Sequence, residues 1–176
     1  MNTAIAGGFD LGWKLAWVLN GWAQPSLLDT YETDRRPLVE HNLNRSIDPS
    51  GSRRSALPEL QVDLSGRIPH AWLPTSEVST VDLMGPGLSL FTAGRSRWPH
   101  AAAALDHSVP LHLHELDAVT ARAIGVIAGG ALLVRPDGTP VGLWLTDHHA
   151  RERLHDAVRS VTYASDLGAA RERDVA

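Results

Sequence analysis

The sequence predicts an α/β protein in which a helical N-terminal segment is followed by a small mixed sheet with flanking helices. Apolar residues recur at helical spacing over residues 3–36. After a stretch rich in Ser, Pro, Gly and Arg, short apolar runs alternate with helix-like segments, which indicates strands and helices in turn. The chain has 176 residues, 43% of them apolar and 20% charged, which suits one folded domain with an appendage.

The first helix is predicted over residues 3–22. Its apolar residues form two stripes at helical spacing: Leu11, Leu15, Val18, Leu19 and Trp22, and Phe9, Trp13 and Trp17. Together they leave only a thin polar strip around Asp10, Lys14 and Gly21. A helix that is apolar over most of its circumference is normally buried over most of it. We therefore expect the remaining chain, or a partner, to surround this helix.

A second helix is predicted over residues 26–36. Pro25 breaks the first helix, and Ser26 is a suitable N-cap for the second. Pro37 is expected to kink or end the second helix, and residues 38–44 would continue it.

Composition divides the chain further along. Residues 46–58 are rich in Ser, Pro, Gly and Arg, which indicates a loop or linker. We predict a helical segment over 1–45, a linker over 46–62, a second domain over 63–163 and a flexible polar tail over 164–176.

The second domain is predicted to contain short strands and helices in alternation. Strands are expected over 81–83, 88–92, 109–113, 131–134 and 141–145, and helices over 98–105 and 119–124. Residues 135–138 (Arg-Pro-Asp-Gly) form a strong hairpin turn, and Thr146 or Asp147 caps a last helix that runs to Tyr163. Strand, helix, strand, helix, hairpin and helix is the order of a thioredoxin-like fold.

Composition excludes several functions. The net charge of −4 and the pI of about 6.1 provide no general attraction for nucleic acid or an acidic membrane. The absence of cysteine excludes a disulfide scaffold, a thiolate zinc site and dithiol redox chemistry. A thioredoxin-like domain without Cys-x-x-Cys must therefore be structural or a binding surface. No apolar run is long enough to span a bilayer and no signal peptide is evident, so a cytoplasmic protein is expected.

Two histidine-containing patterns have residue types found in a zinc site and in a hydrolytic triad. His112 and His114 lie on one face of a predicted strand, where two imidazoles could bind zinc, but a half-exposed strand face explains the pair equally well. Asp106, His107 and Ser108 have the residue types of a hydrolytic triad without the required spatial arrangement. We predict neither a catalytic residue nor a metal site in this chain.

Five blocks of sequence resemble one family in order along the chain. The first is Met-Asn-Thr-Ala-Ile at 1–5 followed by Asp-Leu-Gly-Trp-Lys-Leu at 10–15, and the second is 27–32 with Arg-Arg-Pro at 35–37. Weaker blocks follow at 66–73, 79–85 and 133–138. Together these blocks resemble the FAD-dependent aromatic-ring hydroxylases, single-component flavin monooxygenases that act on phenols and polyketide aromatics.

The resemblance implies a remnant of the FAD- and substrate-binding domain over 1–45 and the family's thioredoxin-like C-terminal domain over 63–163. In that family, NAD(P)H reduces FAD, and O2 then supplies one oxygen atom to an electron-rich ring. The first helix begins beneath the flavin, where its free N–H groups and positive dipole end face the edge that becomes negative on reduction. By this resemblance Asn2 and Thr3 are flavin contacts, although helix capping alone would favour the same residue types.

This chain departs from the family pattern in three respects. The family has a glycine before the Met-Asn step, and it usually has an acidic residue where Gly7 stands. Gly7 and Gly8 also weaken the first turns by about 1 kcal/mol each relative to alanine. No Gly-x-Gly-x-x-Gly unit occurs in the sequence, and the Gly-Asp segment that binds the ribityl and diphosphate groups is missing. Tight FAD binding by this chain alone is therefore not expected.

These observations leave two functional hypotheses. The first is a truncated FAD-dependent aromatic-ring hydroxylase, a C-terminal piece that is inactive alone or is one part of a split enzyme. Its substrates would be an aromatic small molecule and NAD(P)H. The alternative is a non-catalytic thioredoxin-like module that binds a partner or dimerises. The partners expected are a second copy or a protein carrying the FAD domain, and neither nucleic acid nor a membrane.

Overall fold

A computed structural model describes residues 2–47, 67–74, 77–106 and 108–162. Its elements, in chain order, are α1 (Asn2–Leu19), a 3₁₀ helix (Pro25–Asp29), α2 (Thr30–Ile47), β1 (Leu88–Ala93), α3 (Trp98–Ala103), β2 (Leu111–Leu116), α4 (Ala118–Ala123), β3 (Ala131–Val134), β4 (Pro140–Trp144) and α5 (Ala150–Thr162). The predicted α/β class, with helices first and a mixed sheet after them, is confirmed.

The four strands form one mixed sheet in the order β2-β1-β3-β4. β1 runs parallel to β2, with Leu88 opposite Leu111, whereas β3 is antiparallel to both β1 and β4. The parallel pair requires a crossover, which α3 supplies. From β1 to α5 the elements follow the order strand, helix, strand, helix, hairpin and helix, as expected for a thioredoxin-like fold. The thioredoxin-like fold and the domain limits stay predictions.

Apolar cores lie on both faces of the sheet. The central strand β1 is buried along its whole length, and its residues alternate between the two cores. Leu88 and Leu90 pack with Trp13 and Trp17 of α1 and with α3 and α5, while Phe91 packs against α4. A central strand with apolar residues on both sides is typical of a sheet covered by helices on both faces.

The N-terminal helices differ from the prediction in their bounds. α1 ends at Leu19 rather than at Trp22, because the chain turns at Gly21, whose φ is +70°. The predicted start of the second helix is a 3₁₀ helix, and α2 begins only at Thr30. Of the outcomes left open at Pro37, the helix continues past it, to Ile47. Pro37 is exposed, so water can solvate the carbonyl that loses its hydrogen-bond partner.

The strand predicted over 81–83 is wrong. Residues 80–83 form a turn, in which the backbone N–H and the hydroxyl of Ser79 both donate to the Asp82 carboxylate, at 2.8 and 2.6 Å. The local side-chain hydrogen bonds outweigh the extended preference of Val81. The strand predicted over 109–113 is displaced toward the C-terminus, because Val109 is a core residue and the Pro110 carbonyl accepts from Leu88 N–H before β2 begins.

The hairpin and the last helix are close to the prediction. β3 matches it residue for residue, and the turn over 135–138 uses Gly138 with a φ of +83°. The capping prediction for α5 is wrong, since the helix begins only at Ala150 and the Asp147 carboxylate accepts from Arg97 N–H at 2.8 Å. The predicted end at Tyr163, the tail over 164–176 and most of the linker lie outside the described residues.

Candidate functional site

The start of α1 is the predicted flavin-facing feature. α1 begins at Asn2 and has no acidic residue in its first turn, so its free N–H groups and positive dipole end are not neutralised from within the helix. The side chains of Asn2 and Thr3 lie outside the described part of the structure. Two open grooves, of about 580 and 880 Å³, border the first turns of α1.

The two grooves differ in character. The first is bounded by Ile5 and Phe9 on the helix and by Met84 and the hairpin turn opposite. The second lies between α1 and α2, where Tyr31 and the buried Arg35 contribute to its wall. The helix start is therefore accessible from both sides.

A chain of buried and half-buried ions fixes α1 to the rest of the fold. Lys14 is completely buried, and its Nζ lies 3.1 Å from Asp10 and 2.8 Å from Asp34 of α2. Arg135, in the β3–β4 turn, contacts the same Asp34 carboxylate at 3.0 Å and Asp137 at 2.7 Å. We call these five residues the ion network; it joins both N-terminal helices to the hairpin.

The electrostatics of the hairpin end favour the charged forms. Burial of Asp137 works to raise its pKa, but the hydrogen bonds and charge of Arg135 outweigh burial and hold the pKa below the ordinary 3.8. Burial likewise disfavours the Arg135 cation, yet Asp137 and Asp34 raise its pKa above the ordinary value. Both groups therefore remain ionised throughout the physiological pH range.

The ion network determines which side of α1 faces inward, a point that the sequence left open. The polar strip of Asp10 and Lys14 is buried, together with Trp13 and Trp17, while much of the predicted apolar surface faces outward. Trp17 is fixed by a 2.8 Å hydrogen bond from its Nε1 to the Pro86 carbonyl. The reason is that Asp34 and Arg135 offer counter-charges on the inner side of the helix.

Gly7 has a packing role that the sequence did not reveal. A Cβ at Gly7 would lie 3.1 Å from the Tyr31 hydroxyl, so that hydroxyl would have to shift by a few tenths of an ångström. The glycine that departs from the family pattern therefore leaves room for the Tyr31 side chain of α2.

The remaining candidates are the histidine pair on β2 and the residues around Asp106. Within the described ranges, no three His, Asp or Glu side chains converge as metal ligands around His112 and His114. Asp106 and Ser108 line a separate groove of about 350 Å³ with His155, and the Ser108 hydroxyl donates to the Trp22 carbonyl. His107 lies outside the described residues.

The fit to FAD is partial. A helix N-terminus without an acidic residue suits the electron-rich edge of a flavin. No glycine-rich phosphate loop exists in the sequence, so nothing corresponding to a diphosphate site accompanies it. The residues present could therefore contact the flavin ring from one side only.

Comparisons with known proteins agree with this geometry. Residues 63–164 match the family described as aromatic-ring hydroxylase, C-terminal, and residues 1–46 match the FAD binding domain family. The fold and the matched segments thus resemble the C-terminal region of flavin-dependent monooxygenases. The chain belongs to the aromatic-ring hydroxylase family.

The similar curated proteins include monooxygenases and hydroxylases. The tetracenomycin A2 monooxygenase-dioxygenase of Streptomyces glaucescens is 31% identical over 78% of this chain and 33% of its own length. Aklavinone 12-hydroxylase RdmE of Streptomyces purpurascens is 29% identical over 86% of this chain and 37% of its own. This chain thus spans about a third of the length of these relatives.

A solved structure extends the similarity to three dimensions. Aklavinone-11 hydroxylase, crystallised with FAD and aklavinone, superposes with a TM-score of 0.75 and 27% identity, over 92% of this chain and 40% of that one.

No helix in the ranges that the structure describes has the length and apolar character needed to cross a bilayer.

Proposed function

We propose that this chain serves as the C-terminal portion of an FAD-dependent hydroxylase that acts on polycyclic aromatic compounds of the polyketide type. The complete reaction would convert an aromatic C–H to C–OH, with O2 and NAD(P)H plus a proton yielding water and NAD(P)⁺. The observation that carries the proposal is the first turn of α1, which lacks an acidic residue and belongs to a helix tied to α2 by the Lys14–Asp34 ion pair, in a segment that matches an FAD binding domain.

In this proposal the chain's own contribution is positional. The N–H groups of the first turn, with Asn2 and Thr3, contact the flavin edge and stabilise negative charge there. The ion network keeps α1 from rotating or withdrawing, so that this contact keeps its geometry. FAD, when bound, supplies the electron transfer and oxygen chemistry, and the phosphate-binding residues would lie outside these 176 residues.

A chimera tests the proposal. The part of aklavinone 12-hydroxylase RdmE that precedes its match to this chain is fused to residues 1–176. We expect the purified chimera to retain FAD and to oxidise NADPH in the presence of aklavinone with formation of a hydroxylated product. This chain alone should show no oxygen consumption with FAD, NADPH and aklavinone. A folded chimera without bound FAD would contradict the proposal.

The flavin contacts are tested in the same chimera. We expect Asn2→Ala and Thr3→Ala to weaken FAD retention or to shift the flavin reduction potential downward, because stabilisation of the reduced edge is lost. Val119→Ala, at an exposed position of α4, serves as the matched control. If both variants kept the flavin reduction potential and the FAD content unchanged, Asn2 and Thr3 would have no role beyond helix capping.

A second candidate function is favoured by one observation. α1 exposes large apolar residues, including Leu19 at 83% and Ile5 at 66%. An apolar surface of this kind suits a non-catalytic module that dimerises or binds another protein. Sedimentation velocity distinguishes a dimerising module from the C-terminal portion of a hydroxylase, because the module would form a stable dimer without any further component.

A further inference from the structure

Arg135, in the turn between β3 and β4, is held in one orientation. Its backbone N–H donates to the Thr139 carbonyl at 3.0 Å, and Gly138 N–H donates to the Arg135 carbonyl at 2.9 Å. Its guanidinium donates to the Asp137 carboxylate from Nε and Nη2, at 3.2 and 2.7 Å. A two-point contact of this kind fixes the plane of a guanidinium as well as its distance. The turn therefore presents the third donor nitrogen, Nη1, in a defined direction.

The same guanidinium contacts both N-terminal helices. Nη1 donates to Asp34 of α2 at 3.0 Å, and the guanidinium carbon lies 5.1 Å from the centre of the Trp13 ring of α1. Trp13 is buried, and its Nε1 donates to Asp10 at 3.1 Å, which fixes the ring. A cation at this distance from an indole ring is attracted to it, and more strongly where water is excluded. Arg135 thus joins the hairpin to α1 through a ring contact and to α2 through an ion pair.

These contacts link two separately matched parts of the chain. α1 and α2 lie almost wholly within residues 1–46, which match an FAD binding domain, whereas Arg135 lies within residues 63–164, which match the aromatic-ring hydroxylase C-terminal family. Lys14 ties α1 to α2 through the same Asp34 oxygen that Arg135 contacts. Removal of Arg135 would therefore leave the two helices paired with each other but without their charged anchor on the hairpin.

α1 can carry a movement at Trp13 to its first turn. Trp17, one turn further along, is held by its hydrogen bond to the Pro86 carbonyl and can serve as a pivot. The helix is continuous from Asn2 to Leu19. At about 1.5 Å per residue, Thr3 lies roughly 21 Å from Trp17, so a tilt of about 5° would displace Thr3 by roughly 2 Å. A displacement of that size is enough to break a hydrogen bond made by the first turn.

We infer that Arg135 is a positioning residue for the flavin contact. By fixing the angle of α1 from the β3–β4 hairpin, Arg135 sets the place of the N–H groups in the first turn. The inference rests on the proposed function. It gives the part of the chain that carries the hairpin a task in the hydroxylase that needs no cysteine.

The first test needs no flavin and uses the full 176-residue chain. Amide hydrogen exchange is measured over residues 6–13 of α1 and over α5. We expect Arg135→Met to speed exchange in α1 about tenfold more than in α5, because α1 loses its anchor on the hairpin. Arg122→Met, the same substitution at an exposed arginine of α4, should leave exchange in α1 unchanged.

A second variant separates positioning from a general loss of stability. Arg135→Met alone leaves Asp137 buried without its counter-ion, which destabilises the whole fold. In Arg135→Met/Asp137→Asn that group is neutral, and its amide oxygen can still accept from Thr139 N–H, which lies 3.1 Å from Asp137 Oδ1. We expect the double variant to regain the unfolding temperature but to keep the fast exchange in α1.

The flavin readout uses the chimera with the N-terminal part of RdmE. The double variant should lower the flavin reduction potential there, in the same direction as Asn2→Ala, because the first turn no longer lies against the edge that becomes negative. Arg122→Met should leave the potential unchanged. A residue that only stabilised the fold would not alter the potential once the unfolding temperature is restored.

Two results would overturn the inference. One is exchange in α1 that stays as slow in the double variant as in the unmodified chain. The other is an FAD-containing chimera whose flavin reduction potential the double variant leaves unchanged. Neither result affects the proposed function, which a folded chimera without bound FAD would contradict whatever the exchange rates are.

Discussion

Lys14→Met is the most informative single change, because it removes a fully buried cation that lies between two carboxylates. The Lys14 side chain is fully buried, with its Nζ 3.1 Å from Asp10 and 2.8 Å from Asp34. Asp34 keeps Arg135 at 3.0 Å, but Asp10, whose side chain is only 3% exposed, loses its counter-ion. Breaking a buried ion pair from one side costs about 3–5 kcal/mol. For a chain of this size the unfolding temperature should fall by roughly 10 °C.

The double variant Asp10→Asn/Lys14→Met tests the cause of that loss. The amide can still accept the hydrogen bond from Trp13 Nε1, which lies 3.1 Å from Asp10 Oδ1, but it carries no charge. We therefore expect the double variant to be more stable than Lys14→Met alone, since a buried pair can often be replaced at little cost.

Urea and thermal unfolding, followed by circular dichroism, measure both variants. Glu32→Gln breaks the exposed pair with Arg36 and should change stability by no more than about 1 kcal/mol. A Lys14→Met loss no larger than that of this control would refute the reasoning. So would a double variant that is less stable than the single one.

Three further predictions concern packing and pH. Gly87→Ala should destabilise the fold, because its Cβ would collide with the Pro110 carbonyl. Gly8→Ala has open space around it and should raise the free energy of unfolding by up to about 1 kcal/mol. Urea unfolding measures both variants, and equal effects would contradict the prediction. Burial, and then the charge of His112, lower the pKa of His114 below 6.5, so the unfolded chain binds the extra proton. Stability should therefore be full above pH 6.5 and decline as the pH falls below it, and His114→Phe should flatten this dependence in thermal scans; a slope unaffected by the substitution would exclude His114. Trp17→Phe should destabilise by about 1–3 kcal/mol, because the Pro86 carbonyl loses its donor; a change within error would show that water replaces the indole.

Elements that depend on local patterning were predictable. The hairpin was found because Arg-Pro-Asp-Gly specifies its own turn and the flanking runs are apolar. α1 was found because helical spacing is strong in residues 3–19. The turn that begins at Ser79 was not predicted. The hydrogen bonds from Ser79 to the Asp82 carboxylate favour a turn, whereas Val81 favours an extended strand. The sequence alone does not show which preference is the stronger.

The site was predictable only in part. The sequence placed the flavin-facing helix and its first residues, a placement that still awaits experiment. It could not show which side of α1 faces inward, because an apolar majority gives nearly equal hydrophobicity on all sides. The deciding interaction involves Asp34 and Arg135, whose separation along the chain is too great for any periodicity to reveal.

That separation has a consequence for biosynthesis. The Asp34–Arg135 contact spans 101 residues, so during translation both N-terminal helices leave the ribosome long before the guanidinium that holds them exists. Before then the two helices can pair through Lys14 and Asp34, but the contact that anchors them to the hairpin cannot form. In the interval the apolar side chains of α1 are exposed to chaperones and to other nascent chains.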